Sequence, residues 1–322
     1  MDIDLAALRA IEREREIPTE YLLKTLEDAI LNAYDKTDNA LRGVKIDIDR
    51  KTGKVSVLAP EFGDDDEIIG YFDDTPEDFG RVAASTARQV ITQRIREAED
   101  DQKYGHFAGV EGDIVVGTIQ QDRDSKTVRV DLGTLEAIMP LAEQAPGEDY
   151  SHGRRLRVFI VSVRREMHGP QVVVSRTHPS LVRKLFALEV PEIAEGVVEI
   201  KEIAREAGHR TKIAVMSNNA DVSAKGAFIG PMGQRVRAVT NELGEEKIDI
   251  VDYSEDPAKF VAAALSPAKV LNVIITDLAG KACRAIVPDY QLSLAIGREG
   301  QNARLAARLT GWRIDIQPDT AA

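Results

Sequence analysis

The first hundred residues of the chain change between two hydrophobic spacings. Residues 18–37 place an apolar side chain at every fourth position from Leu22 to Tyr34, which is the spacing of one helix face. Residues 44–58 alternate apolar and polar positions around a Lys-Thr-Gly turn, and they predict a β-hairpin. Residues 76–104 return to the helical spacing and predict a long helix opened by Pro76. An α+β N-terminal domain with a long linker helix is therefore expected over residues 1–105.

After Gly109 the pattern changes to short apolar segments separated by glycine and charged turns. Five such segments lie within about seventy residues, a density typical of a small closed β-barrel. We expect this OB-type barrel to cover residues 108–178. Barrels of this kind bind single-stranded nucleic acid through a basic groove and through aromatic rings on which the bases stack. The basic side chains cluster near one strand: Arg154, Arg155, Arg157, Arg164 and Arg165.

The predicted barrel strands contain few aromatic side chains that could stack on bases. Phe159 is the single aromatic residue within a predicted strand of the barrel, and it suits the hydrophobic core equally well. Direct contact with RNA and a spacer role are both open for the barrel.

A pattern of helix, loop, helix and strand occurs twice in the last third of the chain. Each copy holds a Gly-x-x-Gly tetrapeptide, at residues 230–233 and 297–300, preceded by isoleucine and followed by glutamine. Gly244 follows Gly230 by 14 residues, as Gly311 follows Gly297. The period of 67 residues suits one small domain used twice. We expect two α-β-β-α-α-β domains, over residues 179–254 and 255–318.

The glycine pair predicts a clamp for a sugar-phosphate backbone. Glycine at both ends of a tight turn lets another backbone approach without obstruction by Cβ. The following helix directs its free N–H groups and positive dipole end at phosphates. Such a unit is a K homology (KH) domain, which holds about four nucleotides. Walker A and dinucleotide-binding loops fit poorly, because the required lysine or third glycine is missing.

Candidate RNA-binding residues lie in and around the two loops. Pro231 and Met232 donate nothing to a phosphate, and Arg298 stands beside Glu299, so backbone N–H groups are expected to dominate. One copy serving only as a packing module is the alternative. The candidates are Lys225, Ile229, Gly230, Pro231, Met232, Gly233, Gln234, Arg235 and Arg237 in the first copy, and Ile296, Gly297, Arg298, Glu299, Gly300, Gln301, Asn302 and Arg304 in the second.

The net charge of −12 argues against indiscriminate binding to polyanions. Residues 1–108 carry 15 Lys+Arg against 25 Asp+Glu, so the acidity is concentrated there and the remainder can present basic surface. The acidic run at residues 64–67 is expected to be a solvated loop, with a divalent-metal site as the weaker alternative. No apolar run reaches the ~18 residues of a membrane span.

Candidate catalytic chemistry is sparse. The single Cys283 forms no intrachain disulfide, the N-terminus is too charged for a signal peptide, and a reducing cytoplasm is expected. The five histidines lack metal-ligand spacing, and no paired carboxylates or Ser/His/Asp arrangement is visible. We therefore expect neither enzymatic activity nor a cofactor.

Three segments carry a family resemblance: KGAFIGPMGQRVRAV, GEEKIDIVDY and LSLAIGREGQNARLAARLTGWRIDI. With the acidic domain and barrel upstream, the chain resembles the NusA family of bacterial transcription elongation and termination factors over nearly its whole length. Its barrel segments GDIVVGTI, EAIMP and VVVSRTHP resemble an S1-type domain. The resemblance is to the actinobacterial form without C-terminal acidic repeats, so masking of the RNA surface by such repeats is not expected.

This resemblance implies that the N-terminal domain binds RNA polymerase near the RNA exit channel. It implies that the S1 barrel and two type II KH domains bind nascent single-stranded RNA, including ribosomal RNA leaders. The implied activity is modulation of pausing, termination and antitermination by a monomer, together with other antitermination factors. The alternative is an RNA-binding accessory of RNA degradation or of the ribosome, and the N-terminal resemblance argues against it.

Overall fold

The computed structural model describes residues 2–321 except 38, 64–66, 78, 121–125 and 168. The chain divides into two compact units, one of residues 1–106 with 165–170 and the other of residues 107–164 with 171–322. Within the described residues, no helix combines the length and the apolar character that crossing a membrane requires.

The first unit packs helices on one face of an antiparallel sheet of order β1-β2-β3. The predicted apolar face of the second helix is confirmed, because all four of its side chains are buried against strand residues such as Val57. The ring of Phe79 packs edge-on against Tyr34 at 5.9 Å. The elements are α1 (Leu5–Arg15), α2 (Thr19–Tyr34), β1 (Lys45–Ile48), β2 (Val55–Phe62), β3 (Ile68–Asp73) and α3 (Phe79–Ala108).

Two features of this unit differ from the sequence prediction. The hairpin continues into a third strand, β3, which forms the edge of the sheet and is exposed along both faces. Exposure on both faces removes the apolar-polar alternation that would have indicated a strand. The long helix begins at Phe79, and its N–H donates to the Pro76 carbonyl at 3.0 Å. Of the acidic run, residues 64–66 lie outside the described residues and Glu67 is exposed.

The second unit begins with the five-stranded closed barrel predicted from the sequence. Its strands follow the order β4-β5-β6-β8-β7, in which β6 and β8 are parallel. This order is that of an OB fold. The strands are β4 (Ile114–Gln120), β5 (Thr127–Asp131), β6 (Glu136–Pro140), β7 (Arg155–Glu166) and β8 (Gly169–Ser175).

Two α-β-β-α-α-β domains follow, as the internal repeat predicts. In each three-stranded sheet the central strand is antiparallel to the first strand and parallel to the last. The first, KH1, contains α4 (Pro179–Glu189), α5 (Pro191–Ala194), β9 (Val198–Glu206), β10 (Arg210–Ser217), α6 (Ala224–Ile229), α7 (Gln234–Glu242) and β11 (Lys247–Asp252). The second, KH2, contains α8 (Pro257–Ala264), β12 (Asn272–Asp277), β13 (Ala282–Val287), α9 (Leu292–Ile296), α10 (Gln301–Thr310) and β14 (Arg313–Pro318).

These three parts of the second unit form consecutive layers. One hydrophobic cluster joins Phe159 of the barrel to Leu181 of α4 and to Val198 of the KH1 sheet. The other face of that sheet contributes Ala204 to the cluster formed by the KH2 helices and their own sheet. The order is therefore barrel, KH1 helices, KH1 sheet, KH2 helices and KH2 sheet.

A buried cation joins the barrel to KH1. The Arg176 side chain is 1% exposed, and its guanidinium donates to both carboxylate oxygens of Glu148. It also donates to the carbonyls of Arg157 at 2.7 Å and Glu242 at 2.6 Å. Burial, together with the Glu148 carboxylate, raises the pKa of Tyr150 well above its ordinary value. The network fixes the end of α7 against the barrel.

Removing this cation is expected to destabilise the second unit strongly. Arg176→Ala leaves the Glu148 carboxylate buried without its partner, a loss that typically costs about 3–5 kcal/mol. Arg154→Ala is the matched control, since its 2.8 Å pair with Asp149 is exposed and should contribute little. Differential scanning calorimetry of both full-length variants measures the effect. Equal shifts in melting temperature would contradict a special role for Arg176.

Candidate nucleic-acid interface

The two glycine loops have the same backbone conformation. In the first, φ is 71° at Gly230, 50° at Met232 and 78° at Gly233. At the corresponding positions of the second, φ is 78° at Gly297, 53° at Glu299 and 73° at Gly300. In both, the N–H of the last glycine donates to the carbonyl of the first at 3.1 Å.

The first glycine of each loop is required by close packing. A Cβ at Gly230 would lie 2.6 Å from Cγ of Arg235, and a Cβ at Gly297 would lie 2.8 Å from the backbone nitrogen of Asn302. The helix that follows therefore folds directly over this glycine. At Gly300 a Cβ would have no neighbour within 4 Å, so that side of the second loop is open.

The helix N-termini after the loops lack side-chain caps. Gly233 precedes α7 and Gly300 precedes α10, and neither helix start receives a side-chain hydrogen bond. The first N–H groups of a helix need an acceptor from outside the helix. The N–H of the first residue of each helix already has an acceptor in the loop, because Gln234 donates to the Pro231 carbonyl and Gln301 donates to the Arg298 carbonyl. The positive end of the helix dipole gives each helix start the polarity that suits an anion.

Arg235 and Asn302 occupy the same position in the repeat and support the loops from within. Arg235 donates to the Ala227 carbonyl at 2.6 Å and to the Glu192 carboxylate at 3.0 Å. Asn302 is buried, and its amide donates to carbonyls of the preceding helices at 2.9 and 3.0 Å. Both side chains were predicted to contact RNA, and in the structure they are engaged inside the protein.

Several other predicted contacts are paired with carboxylates of the same chain. Glu206 of KH1 accepts from Gln301 at 2.9 Å and from Arg304 at 2.6 Å, and the hydrogen bond from Arg304 lowers the pKa of the Glu206 carboxyl. Lys225 forms an ion pair with Asp252 at 2.9 Å. The positive charge near the loops is therefore largely balanced within the protein.

The remaining predicted residues face solvent. The Met232 side chain is 93% exposed, and Pro231, Gln234 and Arg237 are also exposed. In the second loop Arg298 and Glu299 are exposed, with 3.7 Å between their charged groups. Ile229 and Ile296, the last residues of the short helices before the loops, are partly exposed apolar surface beside each clamp.

An open cleft of about 800 Å³ runs from the second loop to the β9–β10 hairpin of KH1. Its lining includes three nitrogen-bearing side chains that the sequence analysis did not predict: His209, Arg210 and Lys247. No local pattern marks them, because only the fold brings the β9–β10 hairpin and the start of β11 beside the Gly297 loop. Arg210 is paired with Asp249 at 2.7 Å.

Other candidate groups, in the barrel and in strand β13 of KH2, are mostly structural. Phe159 is buried and stacks on His178 with 4.4 Å between ring centroids, so it belongs to the core and offers no exposed stacking platform. Arg157 pairs with Glu242 at 2.7 Å. Burial raises the pKa of the Cys283 thiol. Among the residues that the structure describes, no three His, Cys, Asp or Glu side chains are placed to hold a metal ion.

Two matching glycine loops on adjoining α-β-β-α-α-β domains, beside a closed barrel, define a protein of the tandem KH class. Three family models match the chain: the NusA N-terminal domain matches residues 5–62 and 59–101, the NusA-like first KH domain matches 176–253, and the NusA-like second KH domain matches 257–322. The chain belongs to the NusA family.

Full-length relatives extend this match over the whole chain. The transcription termination/antitermination protein NusA of Mycobacterium tuberculosis is 58% identical over 99% of this chain and 94% of its own length. The protein of the same name from Bacillus subtilis is 47% identical over 99% of this chain and 91% of its own length. The protein of the same name from Thermus thermophilus is 37% identical over 97% of this chain and 88% of its own length.

A charge placed at the open side of the second loop tests the clamp. Gly300→Asp is expected to weaken binding of single-stranded RNA about tenfold or more, because like charges about 4 Å apart repel by roughly 1–4 kcal/mol. Gly300→Asn is the matched control, since it has similar size and similar tolerance of positive φ without the charge. Fluorescence anisotropy measures both affinities. Equal affinities for the two variants would falsify a phosphate contact at this loop.

Arg235 and Arg237 lie on the same helix turn and should behave differently. Arg237→Ala is expected to weaken RNA binding severalfold at unchanged melting temperature, because Arg237 is exposed beside Gly233. Arg235→Ala should lower the melting temperature by about 2–4 °C, through loss of roughly 1 kcal/mol of hydrogen bonding. RNA titration and thermal unfolding of each variant distinguish the two roles, and an unaltered melting temperature for Arg235→Ala would contradict its supporting role.

Proposed function

We propose that this protein is a transcription termination and antitermination factor, a non-enzymatic adaptor between RNA polymerase and nascent single-stranded RNA. It acts in the cytoplasm as a monomer, together with other antitermination factors. The observation that carries the proposal is the pair of uncapped helix N-termini behind matching glycine loops, in a chain that belongs to the NusA family. Ribosomal RNA leaders are the proposed RNA class.

RNA is held mainly by backbone groups in this proposal. N–H groups at the starts of α7 and α10 bind phosphates, and bases lie against the apolar surface at Ile229 and Ile296. Once one loop holds the strand, binding to the other is intramolecular and benefits from a high effective concentration. This accounts for useful affinity despite the paired basic side chains near the loops.

The polymerase contact is assigned to the N-terminal domain, residues 1–105. Its acidic charge disfavours RNA. Strand β3 and the end of β2 expose a group of large apolar side chains on both faces of this sheet edge, and exposed apolar surface of this kind marks protein interaction sites. The group is Phe62, Ile68, Ile69, Tyr71 and Phe72.

A charge within this patch tests the division of labour between the domains. Ile69→Glu is expected to reduce capture by purified RNA polymerase at least tenfold while leaving affinity for free RNA unchanged. Lys51→Glu changes the charge at an exposed turn away from the patch and serves as the control. Footprinting of a labelled nascent transcript in the polymerase complex, with and without the protein, then measures which nucleotides the protein protects. Full polymerase capture by Ile69→Glu would show that this patch is not the contact, and unprotected transcript would reject the adaptor role.

A further inference from the structure

The helices that follow the two glycine loops differ in what their polar side chains contact. In KH1, Gln234 and Arg237 are exposed, and neither side chain has a hydrogen-bond or ion-pair partner within the described part of the chain. KH2 has Gln301 and Arg304 at the same positions of the repeat. Both of these side chains donate to one carboxylate, that of Glu206 in KH1. The repeat therefore contains one open helix start and one that is already occupied by an anion.

Glu206 binds the start of α10 with both oxygens of its carboxylate. Nε2 of Gln301 donates to Oε2 at 2.9 Å, and Nε of Arg304 donates to Oε1 at 2.6 Å. The two donors are three residues apart and so lie on one face of the helix. A phosphate also presents two free oxygens, and arginine binds carboxylates and phosphates with the same N–H groups. The Glu206 carboxylate therefore takes the donors that a phosphate at this helix start would use.

The guanidinium of Arg304 connects this carboxylate to the second loop. Its Nη1 donates to the carbonyl of Glu299, the third residue of the loop, at 3.3 Å. Glu206 also lines the open cleft together with Gly297 and Arg298 of the loop. The carboxylate thus shares the cleft with the loop to which the proposed function assigns RNA.

The backbone that carries Glu206 is held in place on two sides. Glu206 ends strand β9, and in the turn that follows, the N–H of Gly208 donates to the buried Glu246 carboxylate at 2.8 Å. A Cβ at Gly208 would clash with the carbonyl oxygen of Pro146 in the barrel, so the turn is also tightly packed there. The carboxylate can therefore leave Arg304 by a change of its side-chain rotamer, without movement of the domains.

The contact at KH2 is more protected from solvent than the ion pair near the first loop. Asp252, which pairs with Lys225 in KH1, has a side chain that is 62% exposed, and such pairs contribute little. The Glu206 side chain is 16% exposed and has a second cation, Arg308, at 3.9 Å. A phosphate meets an effective competitor at KH2 and only a weak one at KH1.

We propose that Glu206 is an intramolecular competitor for the RNA phosphate at the second loop, so that KH1 binds RNA first and KH2 binds a strand that KH1 already holds. A strand held by KH1 has a high effective concentration at KH2 and displaces the carboxylate. A strand long enough for one loop alone lacks this advantage. The inference rests on the RNA binding of the proposed function, and it adds an order of engagement and the residue that sets this order.

Glu206→Gln tests the competition, because it keeps the size of the side chain and an acceptor oxygen but removes the charge. The probe is a fluorescein-labelled single-stranded segment of a ribosomal RNA leader, about ten nucleotides long, which suffices for two KH units of about four each. Fluorescence anisotropy with the full chain is expected to show an affinity about threefold higher than that of the native chain. The log–log salt dependence should steepen by about 0.7, since one more cation meets a phosphate.

Two further variants separate this competition from a general effect of charge. Glu202→Gln is the matched control, since Glu202 is exposed on the same strand and has no ion pair among the described residues. It should change RNA affinity little, because four residues along a strand span roughly 13 Å, beyond the Debye length of about 8 Å. The double variant Glu206→Gln, Arg304→Gln should return to native affinity and salt dependence, since neither charge of the pair remains.

The order of engagement is tested in the native chain, so it does not depend on how well the variants fold. Isotope-labelled arginine gives an NMR signal for each side-chain Nε–H, and the loss of a signal in Arg237→Gln or Arg304→Gln assigns it. An RNA of about four nucleotides, enough for one KH unit, should shift the Arg237 signal alone, and the RNA of about ten nucleotides should shift both. A short RNA that shifts the Arg304 signal first would overturn the order.

Other results would also overturn the inference. Unchanged or lower RNA affinity of Glu206→Gln, at native melting temperature, would leave Glu206 as a structural contact alone. An equal gain in Glu202→Gln would reduce the effect to net charge, and a gain that persists in the double variant would show that Arg304 is not the group released. Absence of RNA binding by the native chain would instead reject the proposed function, and the inference with it.

Discussion

Both clamps depend on the missing side chain of their first glycine. The helix after each loop passes so close to Gly230 or Gly297 that a Cβ would lie within 3 Å of it. The layers beneath, from the buried Arg176 to the KH2 helices, keep those helices in place. The shared conformation of the two loops therefore follows from one steric constraint, applied twice.

The electrostatic arrangement near the loops bears on the RNA binding proposed for this acidic protein. Arg304 is paired with Glu206 and Lys225 with Asp252, so few unpaired cations lie next to the loops. Non-specific attraction to polyanions is weak under these conditions, because it depends on released counterions. In the function proposed above, binding relies on backbone geometry and on engagement of both loops by one strand, which a short or folded RNA would satisfy poorly.

Much of the fold followed from periodicity in the sequence. The α2 stripe, the five barrel strands and the duplicated α-β-β-α-α-β order are all local or repeated patterns, and the structure has them. Strand β3 was missed because it is exposed on both faces and does not alternate.

The candidate site was less predictable than the fold. From residue type alone, Arg235 and Asn302 could equally bind RNA or support the loops from within the protein. Their hydrogen bonds to backbone carbonyls, which only the structure shows, indicate the supporting role. Glu206 and His209 lie beside the second loop through a contact between domains, which no sequence spacing records. Domain limits and RNA contacts drawn from the sequence remain predictions.

The layered order has a consequence during synthesis. The KH1 sheet is complete once β11 (Lys247–Asp252) has formed, but helix α10 (Gln301–Thr310) that covers it is made about fifty residues later. At a synthesis rate of about 5–20 residues per second, the outer face of that sheet stays uncovered for roughly 3–10 s while the chain is on the ribosome. Lys212 sits in the middle of that face, 3.0 Å from Asp249. Until α10 has been made, this charged pair keeps the centre of the uncovered face polar, which lowers its tendency to associate with other apolar surfaces.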